Sequence, residues 1–403
     1  MRIVHLVGFY SPELGYQESY LAEQHARMGH EVHVIASDRP YPFPNIKKIM
    51  KDARARLEKE KGRNDSGVKV HRLNSWRVYA DLILLFGIKK KLREIRPDVV
   101  FAHESRQSPP YYAGMWKKEL GYVLVTDQHD FHHHIPKHSL AKKLLREIDY
   151  VIVRNPMVRK ALKRSDGIIA VTRETKAYLK KQFKLKDEDV ALVELGVDEK
   201  AFTNNPKARL RIRKAHGIKD SDVAFAFAGT IVRRKGIEML IEAFAKMANM
   251  DSRLMIIGDG EEAYMEELKQ LSADLGVQDS VIFTGFVPKA ELPEFFSAAD
   301  VGVWPGNNSV IIMEAMACGL PVIMVDLQLS HLVGYNNGMK FHSGDLAELQ
   351  SCMQKMMDTR LRKKLAGNSR KACEKNYSYA SIARQFLEVA KKAGEKRHIK
   401  LDI

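Results

Sequence analysis

The chain has 403 residues and a formal net charge of +16, with 45% hydrophobic and 29% charged residues, the balance of a globular protein and not of a disordered or fibrous one. That length exceeds what one hydrophobic core organises, so two domains of roughly 150–200 residues are expected. No apolar run approaches the roughly 20 residues of a membrane span, and three cysteines without CxxC spacing, Cys318, Cys352 and Cys373, support neither a disulfide framework nor a cysteine zinc site.

The chain opens on Arg2-Ile3-Val4-His5-Leu6-Val7, which reads as a first strand and lacks the charged, apolar and small-residue order of a secretory signal. A cytoplasmic location is the resulting expectation. Short β-type apolar runs then alternate with helical patterns, the signature of parallel α/β architecture. The first series of strands is predicted at 3–8, 31–37, 68–73, 98–102, 122–126, 150–153, 167–171 and 190–195. A second series begins after a polar stretch and runs through 223–228, 254–258, 281–284, 301–304 and 321–325. The domain boundary is placed at about 197–221. The tail from 345 to 396 carries apolar residues at helical spacing and reads as helices, the last returning to the first domain, with a frayed Lys-rich end at 391–400.

Charge is uneven. Residues 1–205 hold 38 Lys/Arg against 26 Asp/Glu, whereas the remainder holds 28 against 24. The excess gathers at 47–61, at Lys89-Lys90-Lys91-Leu92-Arg93 with Arg96, and from Arg154 to Arg164. These are either solvated helix faces or surfaces suited to anionic phospholipid at the inner face of a membrane. Nucleic acid is disfavoured as a partner, because no recognition motif occurs and few aromatics interleave with the basic runs.

Two open parallel sheets bind ligands at the C-terminal ends of their strands, and a crevice shared by two such domains is the expected site. Each chemical motif falls at a strand end. After the first strand, 9–18 is a Pro/Gly loop containing Gly15 that opens a helix; it lacks both GxGxxG and the Walker lysine pattern. Gly229-Thr230-Ile231-Val232-Arg233-Arg234-Lys235-Gly236 follows the first strand of the second series and converges three cations on a helix start, which suits a diphosphate. Gly258-Asp259-Gly260 and Phe283-Thr284-Gly285-Phe286-Val287-Pro288 end the next two strands, where glycines permit close approach and apolar side chains flank a base. The stretch 304–326 runs from a polar loop, Gly306-Asn307-Asn308-Ser309-Val310, through a short helix bearing Glu314 to a buried strand, a layout in which loop amides meet a phosphate. His129, His132, His133 and His134, with Asp127 and Asp130, form the densest set of metal-ligand types. Neighbours in one loop rarely converge on one ion, so no metal is expected.

With Gly229, Lys235-Gly236, Ile256-Ile257-Gly258-Asp259-Gly260, Phe283-Thr284-Gly285 and Glu314-Ala315-Met316-Ala317-Cys318-Gly319-Leu320-Pro321-Val322, the second half resembles the nucleotide-binding domain of the retaining family 4 glycosyltransferases (glycosyl transferases group 1), which have the GT-B fold. The first half resembles the family's acceptor domain more loosely, through the 12–15 loop, Gly29-His30-Glu31-Val32, Pro97-Asp98-Val99-Val100 and Gly196-Val197-Asp198. The resemblance implies two Rossmann-like domains: an acceptor domain at 1–200, a nucleotide-sugar domain at 201–375 and a crossing helix at 376–403. It implies Lys235 on the donor diphosphate, Glu314 on the ribose hydroxyls, 308–310 near sugar and phosphate, and His129 against the transferred sugar. Two departures stand out. The family's paired acids, E-x7-E, reduce here to Glu314, with Gly306 in the first acid's place, and Thr230 stands where an arginine commonly follows the glycine of the diphosphate loop.

The reading is a glycosyltransferase that moves a sugar from a nucleotide-diphosphate donor to a glycan or lipid-linked hydroxyl, with retention, without metal or other cofactor. Its sites are His129, Glu314 and Lys235 for catalysis, and Gly15, Arg233, Arg234, Gly258, Asp259, Gly260, Phe286, Val287, Gly306, Asn307, Asn308, Ser309 and Val310 for the nucleotide sugar. The rival readings are a non-catalytic binding partner of the same fold and a nucleotide-sugar epimerase.

Overall fold

The computed structural model describes residues 1–12, 15–40, 67–79, 82–129, 149–247, 251–307 and 309–402. Asn308, Asp130, His132, His133, His134 and the basic run at 47–61 lie outside the described residues. The chain divides into two compact units, Met1–Leu195 with Ile382–Ile403, and Gly196–Ser381.

Unit 1 carries β1 (Arg2–Leu6), β2 (Glu31–Ser37), β3 (Val68–Leu73), β4 (Ser75–Tyr79), β5 (Leu82–Leu85), β6 (Val99–Ala102), β7 (Val123–Gln128), β8 (Gly167–Ala170) and β9 (Val190–Leu192). Seven of these form a parallel sheet in the order β3-β2-β1-β6-β7-β8-β9. Both faces are covered, which is why its central strands are continuous apolar runs instead of alternating ones. Ile3, Val32, Val34, Phe101 and Val123 pack one face against Ile382, Phe386, Leu387 and Ala390. These last four sit on the Tyr379–Glu395 helix at the three- and four-residue spacing that makes one helical face. Val4, Ile35, Val100 and Leu124 pack the other face against Ile83, Ile88, Leu92 and Tyr122.

Two local expectations are corrected, and one pair of strands is added. The run at 150–153 is part of a π-helical turn, Asp149–Arg154, not a strand: Pro156 starts the Asn155–Arg164 helix that follows it, and Arg154 Nε donates to Asp149 at 2.8 Å across the widened turn. The 391–400 end is anchored, because Arg397 Nη1 donates to Tyr122 O at 2.7 Å and Asp166 Oδ2 at 3.1 Å and Ile399 and Leu401 pack on the core. β4 and β5 pair antiparallel outside the main sheet, and neither is among the predicted strands.

Unit 2 carries β10 (Val223–Ala228), β11 (Ser252–Ile257), β12 (Val281–Gly285), β13 (Val301–Trp304), β14 (Val322–Val325) and β15 (Gly338–Phe341), all parallel in the order β12-β11-β10-β13-β14-β15. β15 is absent from the predicted strands; pairing with β14 from Val322↔Gly338 to Val325↔Phe341 selects it, since Gly-Met-Lys-Phe has little strand preference of its own. The unit closes on its own first residues: Val197 N donates to Tyr377 O at 2.8 Å, and Arg370 Nη1 holds the carbonyls of Glu199 and Phe202 at 3.0 and 2.9 Å.

Candidate active site

In unit 2 the strand order reverses between β10 and β13, and open α/β sheets bind ligands at such a switch point, beyond the carboxyl ends of the strands. The segments leaving these two strands, 229–236 and 305–307, are stitched together. Asn307 N donates to Arg234 O at 3.0 Å, and Lys235 Nζ donates to Asn307 O at 2.6 Å. The neighbouring strand ends are pinned backbone to backbone: Gly229 N bonds Ile257 O at 3.0 Å, Ile231 N bonds Asp259 O at 2.9 Å and Gly258 N bonds Gly285 O at 3.0 Å. Gly258 permits this, because a Cβ there would lie 1.9 Å from Gly229 O at φ +141°.

Lys235 is the electrostatic centre of this arrangement. It is only 6% exposed, its ammonium meets a carbonyl, and no carboxylate pairs with it among the described residues. Burial lowers its pKa, and the positive charge of Arg234 lowers it further. A buried cation without a counter-charge is costly, and an anion placed beside it offsets that cost. Arg234 is exposed and forms no ion pair among the described residues. Arg233 is engaged elsewhere: it pairs with Glu238 and Glu267 and its guanidinium lies 4.7 Å above the Tyr264 ring.

Gly306 gives the missing acid a steric reason. A Cβ at 306 would sit 2.4 Å from both Arg234 O and Lys235 C, so the loop has closed over the space where a side chain would start. Residues 305–307 and 309–310 are loop, and Glu314 lies in the first turn of Ile311–Ala317, a helix too short for amides and dipole to make an anion site alone. The cations, not the helix end, are what an anion at this loop would meet. Burial raises the Glu314 pKa, opposed by Lys289, whose Nζ lies 3.2 Å from Oε1. Lys289 is absent from the sequence-derived site, although it immediately follows the Phe286-Val287-Pro288 turn. Phe286 is 76% exposed and Val310 42% exposed, Asp259 is exposed, and Val287 and Ser309 are half-buried. At Gly260 a Cβ would meet Ile231 O at 2.3 Å.

In unit 1, Gly15 adopts φ +64° and its N–H closes a turn onto Pro12 O at 3.1 Å, ahead of the Gln17–Arg27 helix. His129, just past β7, places Nε2 at 3.4 Å from Asp127 Oδ2, an ion-pair distance without hydrogen-bond alignment. Burial disfavours the charged ring, but the Asp127 carboxylate outweighs it and raises the His129 pKa. Behind Asp127 runs a buried line. His103 Nδ1 lies 2.6 Å from Asp127 Oδ2, His5 Nδ1 2.9 Å from His103 Nε2, His25 Nδ1 3.0 Å from His5 Nε2 and His25 Nε2 3.1 Å from Ala383 O. His103, Asp127 and His129 present ligand atoms within 4.8 Å of one another, but the 2.6 Å His103–Asp127 contact is a hydrogen bond, shorter than the spacing of two ligands around one tetrahedral ion. Sequence reading missed His5 and His103, whose one signal is a polar ring in or just past a strand, and His25, which lies in the last turn of the Gln17–Arg27 helix.

Burial pushes His25 down to about 3, and burial followed by the charge of His33 pushes His71 down to about 4. Below the ordinary histidine value of about 6.5 the unfolded chain binds protons at these rings that the folded chain does not, so stability falls as pH drops from 6.5 toward 4. The slope reaches up to about 1.4 kcal/mol per pH unit for His25 and less for the half-exposed His71. Urea unfolding between pH 7.5 and 4.5 checks this; a flat midpoint would show that these rings are protonated in the fold.

The doubly represented Rossmann order, with a buried lysine at the switch point of the second sheet, defines a GT-B protein. Solved structures of that fold align over nearly the whole chain: HepE (Alr3699) from Anabaena in complex with UDP, TM-score 0.67 and 18% identity over 96% of this chain and 99% of that one, and the sucrose-phosphate synthase of Thermosynechococcus elongatus, TM-score 0.64 and 18% identity over 98% and 100%. The family models "Glycosyltransferase Family 4" and "Glycosyl transferases group 1" match residues 19–201 and 222–359, and the chain belongs to this glycosyltransferase family. Among curated relatives, the GDP-mannose-dependent alpha-(1-6)-phosphatidylinositol monomannoside mannosyltransferase of Mycolicibacterium smegmatis is 34% identical over 42% of this chain and 47% of its own length. The uncharacterized glycosyltransferase MJ1607 of Methanocaldococcus jannaschii is 27% identical over 57% and 60%. The chain spans about half the length of the curated relatives it matches.

Proposed function

We propose that the protein is a glycosyltransferase that moves a hexosyl group from a nucleotide-diphosphate sugar to an acceptor hydroxyl, with retention of configuration and without a metal. The observation that carries this is Lys235, a buried ammonium at the switch point with no carboxylate partner among the described residues. Breaking the glycosidic bond adds negative charge to the departing diphosphate, and a preorganised cation stabilises that charge as it develops. Arg234 adds a second cation, Glu314 accepts hydrogen bonds from the ribose, and Asn307 to Ser309 offer neutral bonds to the sugar in place of the acid excluded at Gly306. His129 meets the transferred sugar. The names of the relatives favour GDP-mannose or a UDP-sugar as donor.

The acceptor is anionic or lipid-linked. Among the described residues no helix is long and apolar enough to cross a membrane, but unit 1 presents a surface that suits an anionic bilayer. Trp76, Val78 and Phe86, at 61%, 50% and 54% exposure, crown the β4–β5 hairpin. A cavity of about 590 Å³ is lined by Lys117, Lys118, Lys160, Lys163 and Arg164 with no acid among the described residues of its wall, and among the described residues Lys117 alone of these is tied to a carboxylate, Asp166 at 2.6 Å. Exposed apolar side chains and clustered cations in one unit are the composition that binds acidic headgroups.

Sugar transfer and release from UDP-, GDP- and ADP-sugars, each measured in EDTA, tests the enzyme. Turnover of one donor is expected in EDTA; tight nucleotide binding without turnover would replace the enzyme with a binding protein. Co-sedimentation with phosphatidylglycerol vesicles at low salt, lost with phosphatidylcholine, tests the surface, and equal binding to both would remove the membrane from the proposal.

A further inference from the structure

The line from Ala383 O to Asp127 has two ends that only accept hydrogen bonds, a backbone carbonyl and a carboxylate. Between them stand three imidazoles and four contacts of 3.1, 3.0, 2.9 and 2.6 Å. Each contact needs one hydrogen, because two facing lone pairs at such distances repel. Three neutral imidazoles carry three hydrogens. Reading from the carbonyl, His25 donates from Nε2 and accepts at Nδ1, His5 donates from Nε2 and accepts at Nδ1, and His103 donates from Nε2. That leaves His103 Nδ1 facing Asp127 Oδ2 with no hydrogen between them.

We infer that this line holds one proton more than its neutral rings supply, shared between His103 and Asp127, and that His103 is a positioning residue through which this proton tempers the hold of Asp127 on His129. Among the described residues nothing else supplies this hydrogen. His5 and His25 are fully buried and His103 and Asp127 nearly so, so water does not complete the contacts. The rings are locked as well: His5 stacks on His103 at 5.2 Å and 6° and on His25 at 5.2 Å and 27°, with Phe101 and Phe386 against them. Asp127 Oδ1 is occupied by Glu104 N–H at 2.8 Å. Among the described residues the other charged groups acting on the line are His30 at the His25 end and Glu104 and Glu18 at the His129 end.

The consequence concerns His129. An unshared Asp127 carboxylate would hold His129 as a fixed imidazolium. A carboxylate already balanced by the line's proton attracts it less, so His129 gives up its proton closer to neutral pH, where such a group is useful beside a reacting sugar. The proton count rests on geometry alone; its use in catalysis rests on the transfer reading above.

Long-range ¹⁵N–¹H correlation spectra of the full chain, labelled at histidine and recorded at pH 7.5, read the count directly. Four hydrogens across the three rings and Asp127, with the fourth strongly deshielded between His103 Nδ1 and Asp127, support the inference; three hydrogens with His103 Nδ1 bare overturn it. The variant His103→Gln keeps a neutral donor for Asp127 but cannot hold the extra proton. The His129 titration midpoint, followed by ¹⁵N shift, then rises by about one pH unit or more, and an unchanged midpoint overturns the positioning role. If the variant does not fold, the wild-type count decides. Neither readout depends on turnover, so loss of the glycosyltransferase reading would leave both interpretable.

Discussion

Replacing Lys235 by alanine lowers kcat/KM for the nucleotide sugar by about 10²–10³-fold, or about 2.7–4 kcal/mol, the usual effect of removing one preorganised group from a developing anion. The thermal midpoint of the ligand-free protein stays level or rises. The two outcomes belong together, because Lys235 is 6% exposed and is paired with the Asn307 carbonyl at 2.6 Å and with no carboxylate among the described residues. Removing a buried charge of that kind relieves a desolvation cost instead of breaking a pair. A lysine whose role was to hold the two loops together would behave in the opposite way. Steady-state kinetics with a melting curve separate the cases: a lower midpoint with kcat/KM intact would move the diphosphate site elsewhere.

Installing the family's first acid by Gly306→Glu weakens donor binding and destabilises unit 2. The Cβ would start 2.4 Å from Arg234 O and Lys235 C, and neither is a side chain that can swing aside. The loops must separate, which strains the Asn307–Arg234 and Lys235–Asn307 bonds and disturbs the position of the ammonium. Overpacking of this kind costs about 1–3 kcal/mol, visible as a lower urea midpoint and a weaker donor Kd. Gly306→Ala is the control, since it brings the clash without the charge. Tighter donor binding by Gly306→Glu than by Gly306→Ala would mean that the loop opens readily and that the acid's place is still available.

The parallel α/β order was legible because doubly covered strands are written as uninterrupted apolar runs such as Val-Ala-Phe-Ala-Phe-Ala at β10. The cationic loop was legible too, as three consecutive basic residues at a strand end. What escaped was set by partners distant in sequence. β15 exists because β14 accepts it. The run at 150–153 looks like a strand to local preference and is overruled by the helix that follows. Thr230, read against the family's arginine, said nothing of where Arg233 would go, and Glu267 and Tyr264 lie more than thirty residues away. The histidine line is the extreme case: His5 meets His103 across 98 positions and His25 meets Ala383 across 358, so no spacing rule could register it. Gly306 belongs with these, since the sequence marks a missing acid while the packing explains why none fits.

The chain completes unit 1 only with Ile382–Ile403, and this sets the order in which a ribosome can finish the molecule. Multidomain chains usually fold from the N-terminus onward as each domain emerges. Here the whole of Gly196–Ser381 is available to fold while unit 1 still lacks Ile382, Phe386, Leu387 and Ala390 on one face of its sheet and the carbonyl that ends the histidine line. The nascent first unit thus waits with an open apolar face through synthesis of the entire second one, and that interval is when chaperones have most to protect.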